Sequence, residues 1–183
     1  GGTYQIDSAD DSIHSNANIT IADGTYTLAT GDDGVHADDA LIVNGGTITV
    51  TESYEGLEGL AVTINDGTID ITASDDGINT AGEKMELNGG YIHILAGGDG
   101  VDSNGDLTIN GGEIYIDGPS DNGNSAIDYG DRSSAYVNGG TLVAIGSSGM
   151  AEVMSDSSKQ KVLMVKLGEQ MEGGNVVLTD SEG

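Results

Sequence analysis

The stretch "GDDGVHADDALIVNGGTITV", residues 31–50, decides the fold because its pattern recurs along the chain. It contains an acidic pair, a glycine, short aliphatic runs and an Asn-Gly-Gly turn. The equivalent glycines of successive copies are Gly34, Gly56, Gly77 and Gly100, at steps of 22, 21 and 23 residues. A nearly constant step over several copies is the signature of a repeat architecture.

Each copy predicts three short strands. In residues 31–50 the first is centred on Val35, the second runs from Leu41 to Val43, and the third runs from Ile48 to Val50. Apolar residues alternate with polar ones as in strands, and no helical period of 3.6 is present. If each copy is one turn of a solenoid, equivalent strands stack about 4.8 Å apart. The prediction is an all-β, right-handed parallel β-helix with about 22 residues and three short strands per coil.

The domain organisation follows from where the repeats stop. Residues 1–148 are predicted to form the coils, and residues 149–183 an irregular C-terminal coil or capping segment, either complete or truncated. About six extra residues near "GPSDNGNS" predict a loop, as does "SDSSKQ" at residues 155–160, whereas "KVLMVKL" at residues 161–167 predicts a strand.

The core is predicted to consist of stacked aliphatic columns, because aromatic residues make up only 4% of the chain and Phe and Trp are absent. Aliphatic side chains in equivalent positions pack flat on their copies above and below. The three columns are Ile13, Val35, Leu57, Ile78, Val101 and Ile127; Ile21, Val43, Ile64, Leu87, Ile109 and Val137; and Leu28, Val50, Ile71, Ile94, Ile116 and Ala144.

The Asn-Gly-Gly turns predict a ladder of asparagines at one bend of the coil. Its members are Asn44, Asn65, Asn88, Asn110 and Asn138, while Ala22 interrupts the column in the first coil. Asparagine tolerates the left-handed backbone that such a bend requires, and its amide can bond to the amide of the next coil. We therefore interpret this column as structural.

The acidic residues form a further column before the first strand of each copy. Its members are Asp11, Asp33, Glu55, Asp76 and Asp99, joined by Asp10, Asp32 and Asp75. Two carboxylates about 5 Å apart repel by roughly 3 kcal/mol at an effective dielectric of about 20. The chain has only 5 Lys and Arg against 31 Asp and Glu, and its net charge is −26. Bound Ca²⁺, which prefers oxygen ligands, would neutralise the column; the alternative is that these are solvated turn acids.

An outward column follows each first strand's buried aliphatic residue, namely His14, His36, Glu58, Asn79, Asp102 and Asp128. The sequence predicts His14 and His36 to be stacked polar surface residues, with His93 on another face, because no further His or Cys ligands accompany them.

No nucleophile motif or phosphate loop is present in the sequence. The strong negative charge disfavours nucleic acid as a partner. No apolar run is long enough to insert into a membrane.

The closing section "NGNSAIDYGDRSSAYVNGGTLVAIGSSGMAEVMSDSSKQKVLMVKL", residues 122–167, together with the preceding repeats, resembles the secreted bacterial carbohydrate-binding β-helix family. That resemblance implies a fold like that of pectate lyases, several Ca²⁺ ions between coils, binding of polygalacturonate or cellulose, and an extracellular or cell-surface location. The metal positions it implies are Asp10, Asp11, Asp32, Asp33, Glu55, Asp75, Asp76, Asp99 and Asp102. Coil three departs from the pattern, because Tyr54-Glu55 replaces the acidic pair. Sugar-contacting residues are not implied.

Three functions are compatible with this sequence. The first is non-catalytic, Ca²⁺-dependent binding of acidic plant cell-wall polysaccharide, since Ca²⁺ can bridge protein and uronate carboxylates. Exposed tyrosines suit a neutral glucan such as cellulose, and the candidates are Tyr91, Tyr115, Tyr129 and Tyr136. The second is a structural or filament subunit that associates end to end, because "GGTYQI" at residues 1–6 and "GGNVVL" at residues 173–178 resemble "GGTITV" at residues 45–50. The third is a Ca²⁺-dependent polysaccharide lyase with Lys84 as its base.

Overall fold

A computed structural model describes residues 1–168 together with residues 177 and 179. This part of the chain contains strands and no helix. The strands are β1 (Thr3–Ser8), β2 (Ile13–Ser15), β3 (Ile19–Ile21), β4 (Thr25–Thr30), β5 (Val35–Val43), β6 (Thr47–Glu52), β7 (Leu57–Ile64), β8 (Thr68–Ala73), β9 (Ile78–Thr80), β10 (Met85–Leu87), β11 (Tyr91–Ala96), β12 (Val101–Ser103), β13 (Leu107–Ile109), β14 (Glu113–Asp117), β15 (Ile127–Tyr129), β16 (Ala135–Val137) and β17 (Thr141–Ile145). The segment "GGNVVL" lies outside the described residues except for Val177.

The strands stack in parallel as a β-solenoid of about six turns, which confirms the predicted fold class. One seven-stranded sheet has the order β1-β4-β6-β8-β11-β14-β17 and contains the third strand of every coil. The first and second strands of the coils form a ten-stranded sheet. In the second and third coils these two strands merge into the single strands β5 and β7, so the three-strand pattern holds in the other coils.

The three predicted aliphatic columns are in register throughout the solenoid. Val35, for example, pairs with Leu57, and Leu57 pairs with Ile78. Members in the middle coils are almost fully buried, whereas Ile13 at one end is half-buried and Ala144 at the other end is exposed. Terminal coils have a neighbour on one side only, so a column that the sequence places entirely in the core loses its cover at the ends.

The asparagine ladder is present, with the amide of each later coil donating to the side-chain oxygen of the earlier one. The four Nδ2···Oδ1 distances between successive members from Asn44 to Asn138 are 2.8–2.9 Å. The expected left-handed asparagine is wrong, because every residue with positive φ in the described chain is a glycine, such as Gly90 at +87°. Glycine has no Cβ to clash in this conformation, so it takes the bend and asparagine keeps an ordinary backbone.

The last described segment crosses the end of the coil. Its backbone bonds to β16, with Ser155 N donating to Ala135 O at 2.7 Å and Gln160 N to Val137 O at 3.0 Å. The strand predicted over residues 161–167 is wrong, because these residues have no strand partner. Residues 162–166 instead line a cavity of about 290 Å³ together with Leu142 and Ile127. Residues 120–125 and 156–160 form turns and bends, as the loop predictions require.

Candidate functional site

One edge of the solenoid, here called the acidic edge, carries the acidic column and the outward column side by side. Each acidic residue lies two residues before a first strand, and the residue three positions later points outward from that strand. Strand register stacks the outward residues in the order His14, His36, Glu58, Asn79, Asp102 and Asp128. Because the coils are parallel and in register, residues far apart in sequence become neighbours along this edge.

Most aspartates of the acidic column also hold the next coil in place. Asp11 Oδ1 accepts the Asp33 N–H at 3.1 Å, and Asp33 Oδ1 accepts the Glu55 N–H at 3.2 Å. Further along, Asp76 Oδ1 accepts the Asp99 N–H at 2.7 Å, and Asp99 in turn accepts the Ser125 N–H at 2.5 Å. One oxygen of each carboxylate is therefore engaged in the backbone ladder. The second oxygen takes no part in that ladder, a division of roles that the sequence alone did not indicate.

The third coil differs, as its sequence does. Asn79 Nδ2 donates to Glu55 Oε2 at 3.0 Å, so the longer glutamate side chain reaches the outward column. Tyr54, which replaces the first acid of the pair, is hydrogen-bonded to Asp75, and that bond raises the pKa of the phenol to about 12.

Partial burial makes the charged form of several edge carboxyls costly. It raises the pKa of Glu55, Glu58 and Asp76 to about 7 in each case, and that of Asp102 to about 6. Neighbouring carboxylates add repulsion that acts in the same direction. Among the described residues, no lysine or arginine forms an ion pair with these sheltered acids, so a bound cation would remove this cost.

The structure brings seven of the nine predicted metal positions into groups of possible ligands. In two groups all members are carboxylates, and the ligand atoms lie within 4.8 Å of one another: Asp10, Asp11 and Asp32 in one, and Asp76, Asp99 and Asp102 in the other. Asp33 joins His36 and Glu58 in a third group. Within the described residues, Glu55 and Asp75 belong to no such group.

Two histidines that we expected to be polar surface residues lie against these acids. Asp11 contacts both His14 and His36, and the three form a further group of possible ligands. Hydrogen bonds to Asn16 and Asp11 raise the pKa of His14. The missed signal is the spacing, because Asp11 precedes His14 by three residues and Asp33 precedes His36 by three, which places acid and imidazole on the same side of a coil.

The donor set fits Ca²⁺ in its chemistry. Ca²⁺ takes six to eight oxygen ligands from carboxylates, amide carbonyls and water. Among the described residues, the side-chain oxygen of Asn79 is buried without a hydrogen-bond partner. Asn79 lies in the register between Glu58 and Asp102, next to the Asp76, Asp99 and Asp102 group. A buried amide oxygen left unpaired on a strand in register with Asp102 is what a hard cation would satisfy.

The other candidate residues lie elsewhere. Lys84, the predicted lyase base, is paired with a nearby carboxylate, because its Nζ donates to Glu86 Oε2 at 2.8 Å. Tyr91 and Tyr115 lie on the outer face of the seven-stranded sheet with ring centroids 5.7 Å apart. Tyr129 donates its hydroxyl to Val153 O, so it is held by the C-terminal segment, and Tyr136 is half-buried.

Comparisons with known proteins show what kind of protein carries this edge. No stretch of the described residues forms a helix of the length and apolarity that a membrane span requires. Neither a curated protein nor a solved structure matches the chain. The sequence does match a family described as carbohydrate-binding domain-containing proteins, in two overlapping segments, residues 1–34 and 32–182. Because these matches span nearly the whole chain, this β-solenoid belongs to that carbohydrate-binding domain family.

Proposed function

We propose that the chain is a non-catalytic module that binds acidic polysaccharide, of the polygalacturonate type, through Ca²⁺ held at the acidic edge. Family membership supports carbohydrate as the ligand. The observation that carries the Ca²⁺ part is the unpaired, buried oxygen of Asn79, whose strand is in register with Asp102 of the Asp76, Asp99 and Asp102 group. Asp10, Asp11 and Asp32 would hold a second ion near the first coil. Such ions are available at millimolar concentration outside cells, which favours an extracellular or cell-surface location.

Electrostatics explain why the cation and the polysaccharide belong together. A chain of net charge −26 repels a polyuronate, and the repulsion extends for about 8 Å at physiological ionic strength. Ca²⁺ bound to the edge reverses the local charge and leaves coordination positions that a uronate carboxylate can fill. Lys84 offers no substitute for the cation, because it is already paired with Glu86.

The test is binding of polygalacturonate with and without Ca²⁺. We expect the purified chain to be retained by polygalacturonate in affinity electrophoresis with millimolar Ca²⁺, and to be released by a Ca²⁺ chelator. The double variant Asp99→Asn, Asp102→Asn removes two charges from the edge, while the amide introduced at position 99 keeps an oxygen for the Ser125 N–H. It should lose retention, whereas Asp70→Asn, Asp117→Asn, which removes two charges from the outer face of the seven-stranded sheet, should not. Retention that is unaffected by chelator would refute the Ca²⁺ requirement.

A neutral glucan is the second candidate ligand, favoured by the tyrosine pair on the seven-stranded sheet. Tyr91 is 42% exposed and its ring contacts that of Tyr115, so the two offer an apolar surface to the faces of sugar rings. Asp66 and Glu113 line the same shallow groove as Tyr91 and can accept hydrogen bonds from hydroxyls. Retention on cellulose that is insensitive to chelator and lost in Tyr91→Ala would assign the glucan to this face.

A further inference from the structure

The two histidines of the acidic edge direct the same ring nitrogen to one carboxylate oxygen. Asp11 Oδ2 lies 2.8 Å from His14 Nδ1 and 3.3 Å from His36 Nδ1. The two rings meet edge to face with centroids 5.0 Å apart. His14 and Asp11 come from the first coil and His36 from the second, so the three side chains converge across one coil junction.

Additional oxygen ligands surround His36. Its Nδ1 is 3.4 Å from Asp33 Oδ2, and its Nε2 is 3.4 Å from Glu58 Oε2. Most of the cluster is sheltered, because the side chains of Asp11 and Asp33 are only 11% and 8% exposed and that of His36 is 27% exposed, whereas that of His14 is 41% exposed. Sheltered imidazole and carboxylate groups at contact distance are the composition of a transition-metal site rather than of a Ca²⁺ site.

We propose that Asp11, His14 and His36 bind one divalent transition-metal ion of the Zn²⁺ class, with Asp33 or water as a further ligand. Zn²⁺ binds imidazole nitrogen and carboxylate oxygen at about 2.0–2.2 Å, which separates ligand atoms in a tetrahedral site by about 3.4 Å. His36 Nδ1 lies at about that spacing from Asp11 Oδ2, at 3.3 Å, and from Asp33 Oδ2, at 3.4 Å, whereas His14 Nδ1 is hydrogen-bonded to Asp11 Oδ2 at 2.8 Å and must move apart from it when the ion binds. Small side-chain rotations complete the geometry.

The position of this site gives it a structural role. The asparagine ladder begins at the second coil, because Ala22 occupies the equivalent place in the first coil. Ile13 of the first coil is also less buried than its counterparts. An ion bound by residues of both coils would fasten the first coil to the second, where the ladder does not reach. This site requires no sugar and no residue of the Asp76, Asp99 and Asp102 group, and it shares only Asp11 with the second proposed Ca²⁺ group.

Metal titration of the chelator-treated chain, without a polyhistidine tag, tests the proposal. Co²⁺, whose visible absorption reports its coordination, should give a saturable spectrum that Zn²⁺ displaces at one ion per chain and that millimolar Ca²⁺ does not displace. His14→Ala or His36→Ala should weaken Zn²⁺ binding at least about tenfold, because even changes outside the ligand shell cost roughly 10–100-fold. Zn²⁺ should also raise the melting temperature of the unsubstituted chain.

His93→Ala is the matched control. His93 Nδ1 lies 2.9 Å from Asp70 Oδ1 on the other sheet, so it reproduces a histidine–carboxylate pair without a second imidazole. Its substitution should leave Zn²⁺ binding unchanged. The side chain of His14 is partly exposed, and circular dichroism will verify that its variant is folded. Absence of a Co²⁺ spectrum, displacement by Ca²⁺, or an equal loss in His93→Ala would overturn the proposal and leave two histidines that serve only as hydrogen-bond partners of acids.

Discussion

Asp76→Asn should stabilise the chain at pH 8 without Ca²⁺, and adding Ca²⁺ should reduce that advantage. Burial raises the pKa of Asp76 from its ordinary 3.8 to about 7 in the folded chain. The folded state therefore holds the Asp76 proton more tightly than the unfolded state does. The contribution of the protonated carboxyl to the free energy of unfolding is complete below about pH 4 and is lost as pH rises to about 7. Above pH 7 the folded chain must contain a sheltered, ionised carboxylate. Asparagine removes that charge and keeps an oxygen for the Asp99 N–H.

The size of the effect follows from the shift. A pKa shift of about three units corresponds to a free energy of about 4 kcal/mol. We expect only about 1–2 kcal/mol of destabilisation, because the carboxyl is partly exposed and screened by solvent. Without Ca²⁺ at pH 8, Asp76→Asn should then melt about 2–8 °C higher than the unsubstituted chain, at about 2–4 °C per kcal/mol for this length. At pH 4.5 the difference should largely vanish.

Adding Ca²⁺ should reduce this advantage. At a Ca²⁺ concentration about 100 times Kd, the unsubstituted chain gains about 2.7 kcal/mol, and a variant that binds tenfold more weakly gains about 1.4 kcal/mol. Melting followed by circular dichroism at pH 8 and pH 4.5, with Ca²⁺ or with chelator, measures all four states. Asp117→Asn, an exposed acid on another face, should differ by less than about 0.5 kcal/mol throughout. A variant that melts lower at pH 8 without Ca²⁺, or that responds to Ca²⁺ as fully as the parent, would refute the reasoning.

Three further predictions concern the scaffold and can be checked by chemical denaturation. Asn88→Ala removes two hydrogen bonds of the asparagine ladder and should lower the free energy of unfolding by about 1–3 kcal/mol. Asn44→Ala removes one such bond and should cost about half as much. Equal losses would mean that the ladder does not stabilise the fold through these bonds. Ile71→Ala leaves a cavity in the middle of a fully buried column and should cost about 2–5 kcal/mol. Gly90→Ala places a methyl group at φ +87° and 2.6 Å from a backbone oxygen, so it should destabilise far more than Gly45→Ala, whose methyl group lies 3.4 Å from its nearest neighbour.

The fold was predictable from the sequence because every coil repeats the same residue pattern. Register in a parallel solenoid follows directly from the repeat step, so aligning the glycines also aligned Val35 with Leu57 and Asn44 with Asn65. Errors arose where the repeat ends. Residues 161–167 have the composition of a strand, but the last coil offers them a position across its end rather than beside β17. The predicted burial of Ala144 was wrong for the same reason, since a residue of a core column is covered only where a coil lies on both sides of it.

The site was predictable only in outline. Sequence spacing placed Asp76, Asp99 and Asp102 on one edge, because vertical alignment depends on the backbone alone. It did not show that one oxygen of Asp76 binds the Asp99 N–H, nor that Asp11 joins the two histidines. These contacts depend on side-chain rotamers and on which neighbour lies within reach, and neither is encoded in the period.

The side-chain ladders of this solenoid have a direction. Asn65 donates to Asn44, Asn88 to Asn65, and the Asp33 N–H to the Asp11 carboxylate, so in each of these bonds the later coil is the donor and the earlier coil the acceptor. The two ends of each ladder are consequently unlike, one offering donors and the other acceptors. A twofold-symmetric pair cannot continue such ladders, because it would place donors opposite donors and acceptors opposite acceptors.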